Sequence, residues 1–324
     1  MSIELIISLV KANIVLAVLL TNTILLIWFE RKVVAGMQSR VGPDRAGPFG
    51  ILQTLADAIK LLLKEQILPS KADRAMYLLA PLIALVPSFL IFMIIPLGPD
   101  ITVEWQNALY TIPLVGADLN VGVLYFLALS SIAVYSVVLA GWSSGSKYPL
   151  LGGVRASAQM ISYEAAMGLA LVPVILYSGS LSLVDIVNSQ SGNLSSSIPI
   201  LNTIVSFIPK WNIFPQFVAF GIFFIAAVAE VNRAPFDLVE AEQELVGGFH
   251  TEYSGFRFAM FFLAEYINMF NMCAITATFF LGGWLGPTFE GILPPIFSVI
   301  MPIIWLGVKT FLLLFVFVWI RATL

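Results

Sequence analysis

The sequence predicts an all-α membrane protein, a polytopic bundle of seven transmembrane helices forming one domain over residues 1–324, with a further amphipathic helix on its cytoplasmic side. Three observations predict it. Of 324 residues, 59% are hydrophobic and 11% charged, against roughly 25% charged in a soluble domain, so a soluble fold could not cover this apolar surface. The apolar residues gather into seven runs of about the ~20 residues that a crossing helix needs: 3–29, 76–97, 119–140, 160–177, 215–229, 256–281 and 296–320. The cations alternate with these runs. Thirteen of the 16 Lys and Arg residues lie in the first, third and fifth loops and the C-terminus, counting Arg257 at the very start of the sixth run with the fifth loop; Lys210 is alone in the fourth, and the second and sixth have none. Positive charge is retained on the cytoplasmic side, so the odd loops face the cytoplasm or its topological equivalent.

The first run is too long for a signal-peptide core and has no small-residue cleavage site, so it is expected to be retained. The loop after it, 30–75, holds GPDRAGPFG, an irregular stiff turn rich in Gly and Pro. Next, Ile51, Leu52, Leu55, Ile59, Leu62 and Leu63 fall on one helical side, with Asp57, Lys60 and Lys64 off that stripe. This is a short helix lying in the interface, read as a tether for the loop or as one wall of a portal for an amphiphile. Trp28, Trp142 and Trp284 stand near run ends as interfacial aromatics do. The fifth run is short, and residues 179–197 form a Ser-rich loop without obvious chemistry. Lys309, near the middle of the last run, is too deep to snorkel easily and calls for a partner, either a carboxylate or a member of a proton path.

Rare residues exclude function classes. One Cys, Cys273, and one His, His250, cannot supply an iron–sulfur cluster with about four Cys, a bis-His haem, or a structural zinc site. Metal ligands are therefore expected to be none, and electron carriers to sit elsewhere. A net charge of −3 offers no footprint for nucleic acid.

The odd loops carry the chemistry. Arg155 and Glu164 are nine residues apart, ~13 Å along a helix and too far to pair directly. Glu164 falls within the hydrocarbon boundary, where a carboxylate is costly and points to function. Loop 230–256 contains Glu230, Asp237, Glu240, Glu242, Glu244 and Glu252, offset by Arg233 and partly by His250. If 237–246 is helical, Asp237, Glu240 and Glu244 share one face. Glu265 lies about a third of the way into the next run. Carboxylates at the surface and at depth on neighbouring segments can form a proton chain, and we weigh that above an ordinary solvated acidic face.

The stretches ERKVVAGMQSRVGPDRAGPFGILQTLADAIKLLLKE, GWSSGSKYPLLGGVRASAQMISYE and AEVNRAPFDLVEAEQELVGGFHTEYSG, followed by FFLAEY, together closely resemble the quinone-site membrane subunit of respiratory complex I, the proton-pumping NADH:quinone oxidoreductase of bacteria and mitochondria. They occur in order and cover roughly a third of the chain. The resemblance implies that Glu30, Arg31, Arg40 and Asp57 line or shape a quinone chamber, with Arg155 and Arg233 near its inner end. It implies an acidic path through Glu164, Glu230, Asp237, Glu240, Glu242, Glu244, Glu252 and Glu265. It also implies quinone as substrate, FMN and iron–sulfur clusters only in partner subunits, and no catalytic residue on this chain alone. The partners implied are other membrane-arm subunits and the quinone-site subunits of the peripheral arm. The location implied is the bacterial cytoplasmic membrane, an organellar inner membrane being the other option. Two departures stand out: Val239 replaces a usual Pro, and the chain stops at WIRATL, where the family continues with a PRxRYDQ-like segment and an eighth span. A related membrane-bound hydrogenase or ferredoxin-linked complex would share the acidic loops but bring nickel or ferredoxin. A stand-alone transporter is disfavoured by the missing internal repeat, and a purely structural anchor by the intramembrane carboxylates.

Overall fold

The computed structural model describes residues 3–105, 108–193, 209–237, 242–287 and 296–323. Six helices in it are long and apolar enough to cross a membrane. They are α1 (Ile3–Met37), α3 (Arg74–Met93), α4 (Gly122–Ser143), α5 (Lys147–Ser178), α9 (Gly255–Phe280) and α10 (Ile296–Thr323). Between them lie the interfacial helix α2 (Gln53–Leu63), a hairpin of β1 (Ile101–Trp105) and β2 (Ala108–Ile112), and the short helices α6 (Leu183–Ser189), α7 (Phe217–Glu230) and α8 (Glu242–Leu245). The seventh expected crossing corresponds to α7, which has 14 residues and is about 21 Å long, short of the ~30 Å hydrocarbon core.

Two expected boundaries move. The first helix runs eight residues past its apolar run, to Met37, because ERKVVAGM has no proline to stop it. The fourth begins at Lys147, not 160. The small residues of 147–159 obscure the helical pattern, but they let neighbouring backbones close in. A Cβ on Gly152 would stand 2.8 Å from the Cα of Gly248, so that position brings the fifth loop directly onto α5. The hairpin has no counterpart in the sequence reading. Its register pairs Ile101 with Ile112 and Trp105 with Ala108.

Helix α9 is the hub. It packs against α1, α2, α3, α6, α7 and α10, and its inward face includes Ile267, Cys273, Ala277, Phe279 and Phe280, each at 0% exposure. Cys273 is therefore a packing residue. Phe223 of α7 meets Phe280 at 5.5 Å between ring centroids and Phe279 at 6.1 Å, in tilted and edge geometries that suit ring quadrupoles. The buried amide of Asn271 donates to the Ser88 carbonyl of α3 at 2.7 Å. The α2 stripe faces outward instead: Leu52, Leu55, Ile59, Leu62 and Leu63 are all exposed, the disposition of a helix that gives its apolar side to lipid. Trp142 is exposed, whereas Trp284 is buried, so of these two only the former stands at the surface as expected.

Lys309 has a partner, but not a carboxylate. Its ammonium donates to the carbonyls of Leu281 at 2.6 Å, Gly283 at 2.9 Å and Leu285 at 2.5 Å, and it lies 4.3 Å from the ring centroid of Trp211. Three donors meet three carbonyls at the C-terminal end of α9, where unpaired carbonyls and the helix dipole both favour a cation.

Candidate functional site

Among the described residues, the expected site residues fall into four groups. The innermost is built on Arg233. Helix α7 ends at Glu230, and the chain turns through Asn232 at φ +54°. The Gln159 amide of α5 holds this turn, donating to the carbonyls of Phe236 at 2.7 Å and Ala229 at 3.1 Å. So fixed, Arg233 enters the bundle. Its Nη1 lies 2.8 Å from Glu30 Oε1, its Nε 3.0 Å from Glu265 Oε1, and its guanidinium carbon 4.6 Å from the Tyr266 ring centroid. Arg233 and Glu30 are each 5% exposed in their side chains. Arg321 Nη1 also bonds Glu30 Oε1. Two acids and two bases from α1, α9, α10 and the fifth loop thus balance in a buried place where an unpaired charge would be costly. Arg233 Nη2 and Glu30 Oε2 are buried without a hydrogen-bond partner among the described residues, leaving donor and acceptor capacity at the centre.

The second group joins the deep carboxylates to α4. Ser130 Oγ donates to Glu230 Oε1 at 2.8 Å, and the next residue, Ser131, donates to Glu164 Oε1. Glu230 is buried and Glu164 half-buried. A cavity of about 70 Å³ lies beside Glu230, lined by Asn232, His250, Glu265 and Asn268 among others. Its volume fits about two waters at ~30 Å³ each, for which Glu230, Asn232, Glu265 and Asn268 offer polar groups among largely apolar walls. It is the space shared by the first two groups, since Glu230 belongs to one and Glu265 to the other.

His250 closes this cavity from the loop side. Its ring lies 5.0 Å from Phe249, 5.3 Å from Phe258 and 6.2 Å from Phe262. Burial lowers its pKa to about 4, because the imidazolium cannot keep its hydration among these rings. It is a neutral packing residue at ordinary pH, so it does not offset the loop's acids as expected. Beside it, Tyr77 and Tyr253 stack 4.1 Å apart, and Tyr77 Oη donates to the Glu252 carbonyl at 2.8 Å. Glu252 therefore belongs to the loop wall, half-buried. Burial raises the Tyr253 phenol.

The third group is peripheral. Arg155 leaves α5 and pairs with Glu244 of α8 at 2.5 Å, with side chains 35% and 63% exposed. Of the helix expected over 237–246, Asp237 stands outside helix, α8 covers Glu242–Leu245 among the described residues, and Val246 at φ +68° ends it. Val246 takes the left-handed conformation that terminates helices. Val239 and Glu240 lie outside the described residues, and the expected sharing of one face by Asp237, Glu240 and Glu244 lies there with them.

The fourth group is the first loop. Arg31 bonds Asp57 of α2 at 2.5 Å, and Gln53 donates to the same carboxylate at 3.1 Å. Arg40 turns to Gln38 at 2.7 Å, on the exposed surface and apart from the other groups. Trp28 Nε1 donates to the Phe49 carbonyl at 3.0 Å, pinning the Gly/Pro-rich turn to α1. Neighbours on α1 thus diverge, Glu30 pointing into the bundle and Arg31 toward α2.

Arg321 is the site residue that sequence reasoning misses, reading it only as a terminal cation. A signal exists in its depth, since Glu30 and Arg321 both lie where an apolar run meets the basic side. Among the described residues no group of three or more His, Cys, Asp and Glu side chains could hold a metal.

With this geometry in view, the relatives are informative. A family model described as NADH dehydrogenase matches residues 10–324. Among curated proteins, the chain is 47% identical to an H-type NADH-quinone oxidoreductase subunit of Koribacter versatilis, the alignment covering 99% of this chain and 88% of that one. It is 49% identical to the subunit of the same name from Syntrophobacter fumaroxidans, over 97% of this chain and 85% of that one. For the Geobacter metallireducens subunit the identity is 52%, over 91% and 80%.

Proposed function

The chain belongs to the NADH dehydrogenase family of membrane subunits, with the H-type subunits of NADH-quinone oxidoreductase among its members, and from that premise we propose that it forms much of the quinone chamber of such a complex and starts the acidic path that couples quinone reduction to proton translocation. It acts as a membrane subunit of the proton-pumping enzyme and carries no redox centre itself. Electrons reach the quinone from FMN and iron–sulfur clusters in partner subunits of the peripheral arm, docked on the odd loops at the cytoplasmic side of a bacterial membrane.

One observation carries this reading: Arg233 ties Glu30 to Glu265, and Glu265 shares a small cavity with Glu230. Glu30, Arg31, Arg40, Asp57, Arg155 and Arg233 face or flank the chamber. A change of charge as quinone is reduced alters the balance around Arg233, because the attraction between buried charges depends steeply on their surroundings. Glu265 then exchanges a proton with water in the cavity, Glu230 takes it up, and Glu164, held on the adjacent serine of α4, passes it toward the membrane arm. Asp237, Glu240, Glu242, Glu244 and Glu252 feed the cavity from the loop. The intramembrane carboxylates support this reading because such groups are expensive to keep and mark ion paths.

The test is a cofactor assay on the complex that co-purifies with this chain from its native membranes. Flavin with iron and acid-labile sulfide, without nickel, together with NADH-dependent quinone reduction, is the expected result. Nickel with iron–sulfur, or a chain recovered alone, overturns it.

A further inference from the structure

A cavity of about 440 Å³ opens at the basic end of the bundle, away from the Arg233 and Glu230 groups, between the start of α3 and the turn joining α4 to α5. Lys71, from the loop before α3, and Lys147, the first residue of α5, line it together with Trp142, Ser146, Leu150 and Asp73. Its walls are firmly built. The Asp73 amide donates to the Ser143 carbonyl at 2.9 Å. Gly145, at φ +66°, lies so close to the loop that a Cβ there would stand 2.5 Å from the Lys71 carbonyl oxygen.

The charges in this cavity cancel only in part, Lys71 and Lys147 against Asp73 leaving it net positive. Asp73 is engaged as the cap of α3, accepting from the amides of Ala75 at 3.0 Å and Met76 at 3.4 Å. Neither Lys71 nor Lys147 forms an ion pair among the described residues. Ser146 makes no side-chain cap on α5, so the positive end of that helix adds to the lysines. Below the cations the lining turns apolar and outward: Trp142 is 66% exposed and Leu150 42%. The cavity therefore offers positive charge at headgroup level and bare apolar side chains beneath it, beside a tryptophan of the kind found at interfaces.

We infer that this cavity binds an anionic phospholipid, its phosphate held between Lys71 and Lys147 and its acyl chains lying over Trp142 and Leu150. Basic pockets between transmembrane helices on the cytoplasmic side have the chemistry for such headgroups. A free phosphate would leave the apolar floor uncovered, and so would an acidic protein segment. The lipid bridges α3 and the α4–α5 hairpin from outside and leaves the buried carboxylates untouched.

The experiment compares the intact complex carrying this chain with its K71Q/K147Q variant, both mildly delipidated. Each is titrated with phosphatidylglycerol or phosphatidylcholine and read by native mass spectrometry. The parent is expected to retain one more phosphatidylglycerol per complex than the variant, with affinity about thirtyfold higher from two cations near the headgroup, and no difference for phosphatidylcholine. Equal phosphatidylglycerol occupancy in the two overturns the inference, as does an equal loss of both lipids. If the variant does not assemble, a photoreactive phosphatidylglycerol is applied to the parent complex. Labelling of peptides containing Trp142 or Lys147, competed by phosphatidylglycerol but not by inorganic phosphate, supports the site. Labelling elsewhere, competition by phosphate alone, or a cross-link from this cavity to a neighbouring subunit's acidic segment refutes it.

Discussion

Arg233→Gln tests the centre of the site. In the native chain its guanidinium neutralises Glu30 at 2.8 Å and Glu265 at 3.0 Å. Removing it leaves Glu30, 5% exposed, with Arg321, whose side chain is 41% exposed, and leaves Glu265 facing the cavity. Breaking a buried ion pair by deleting one partner costs about 3–5 kcal/mol, because the remaining charge is stranded. Deleting both charges is far gentler, since two neutral amides of similar shape can hydrogen-bond each other. The double variant Glu30→Gln/Arg233→Gln is therefore expected to recover about half or more of the loss, with a coupling energy of ~2–3 kcal/mol, within the range seen for residues of one network. Arg321→Gln, at the exposed edge, should cost about 1 kcal/mol or less. The measurement is a double-mutant cycle on unfolding free energies in mixed micelles, with quinone reductase activity recorded in parallel. Additive losses for Glu30→Gln and Arg233→Gln, or an Arg321→Gln variant as damaged as Arg233→Gln, would refute the view that Arg233 is the cation on which the cluster depends.

Three further outcomes are expected. Glu164→Gln and Glu265→Gln should each lower coupled turnover and proton pumping while the complex still assembles; membrane vesicles that pump at the parental rate in both variants would sink the relay. His250 has a folded pKa of about 4 against an ordinary 6.5, so the unfolded chain binds more protons between these values and stability rises with pH across that window, complete above 6.5 and lost as pH falls toward 4. That amounts to about 3 kcal/mol, and a His250→Asn variant should show a correspondingly flatter stability profile from pH 4 to 6.5. Arg155→Ala removes an exposed pair with Glu244, so it should change thermal stability by about 1 kcal/mol or less; a larger loss would mean that Arg155 is held by more than Glu244.

The bundle itself is legible because length and apolarity leave a chain few options in a bilayer, and the alternating cations independently constrain the count of crossings. Small polar residues are harder to read. The segment 147–159 looks like a loop by composition, yet it is helical, and Gly152 leaves the fifth loop a flat surface to approach. The hairpin Ile101–Trp105 with Ala108–Ile112 is lost among loop residues, each strand being only five residues long. Among site residues, Glu164 and Glu265 stand out because carboxylates are rare at such depth. The separation of Arg155 from Glu164 follows from helical rise alone. What a sequence cannot express is partnership over distance: Arg321 and Glu30 are 291 positions apart. Backbone carbonyls such as those around Lys309 have no letter of their own.

The neighbouring serines of α4 have a mechanical consequence. Successive residues on a helix point about 100° apart, so Ser130 and Ser131 grip carboxylates on two different flanks, Glu230 from α7 and Glu164 from α5. Helix α4 thus serves as a shared spindle. It cannot twist about its axis to slacken its hold on one acid without also disturbing the other. Any force that turns α4, from within the bundle or from a neighbour docked against it, reaches both acids in a single stroke, whereas replacing either serine by alanine would uncouple them.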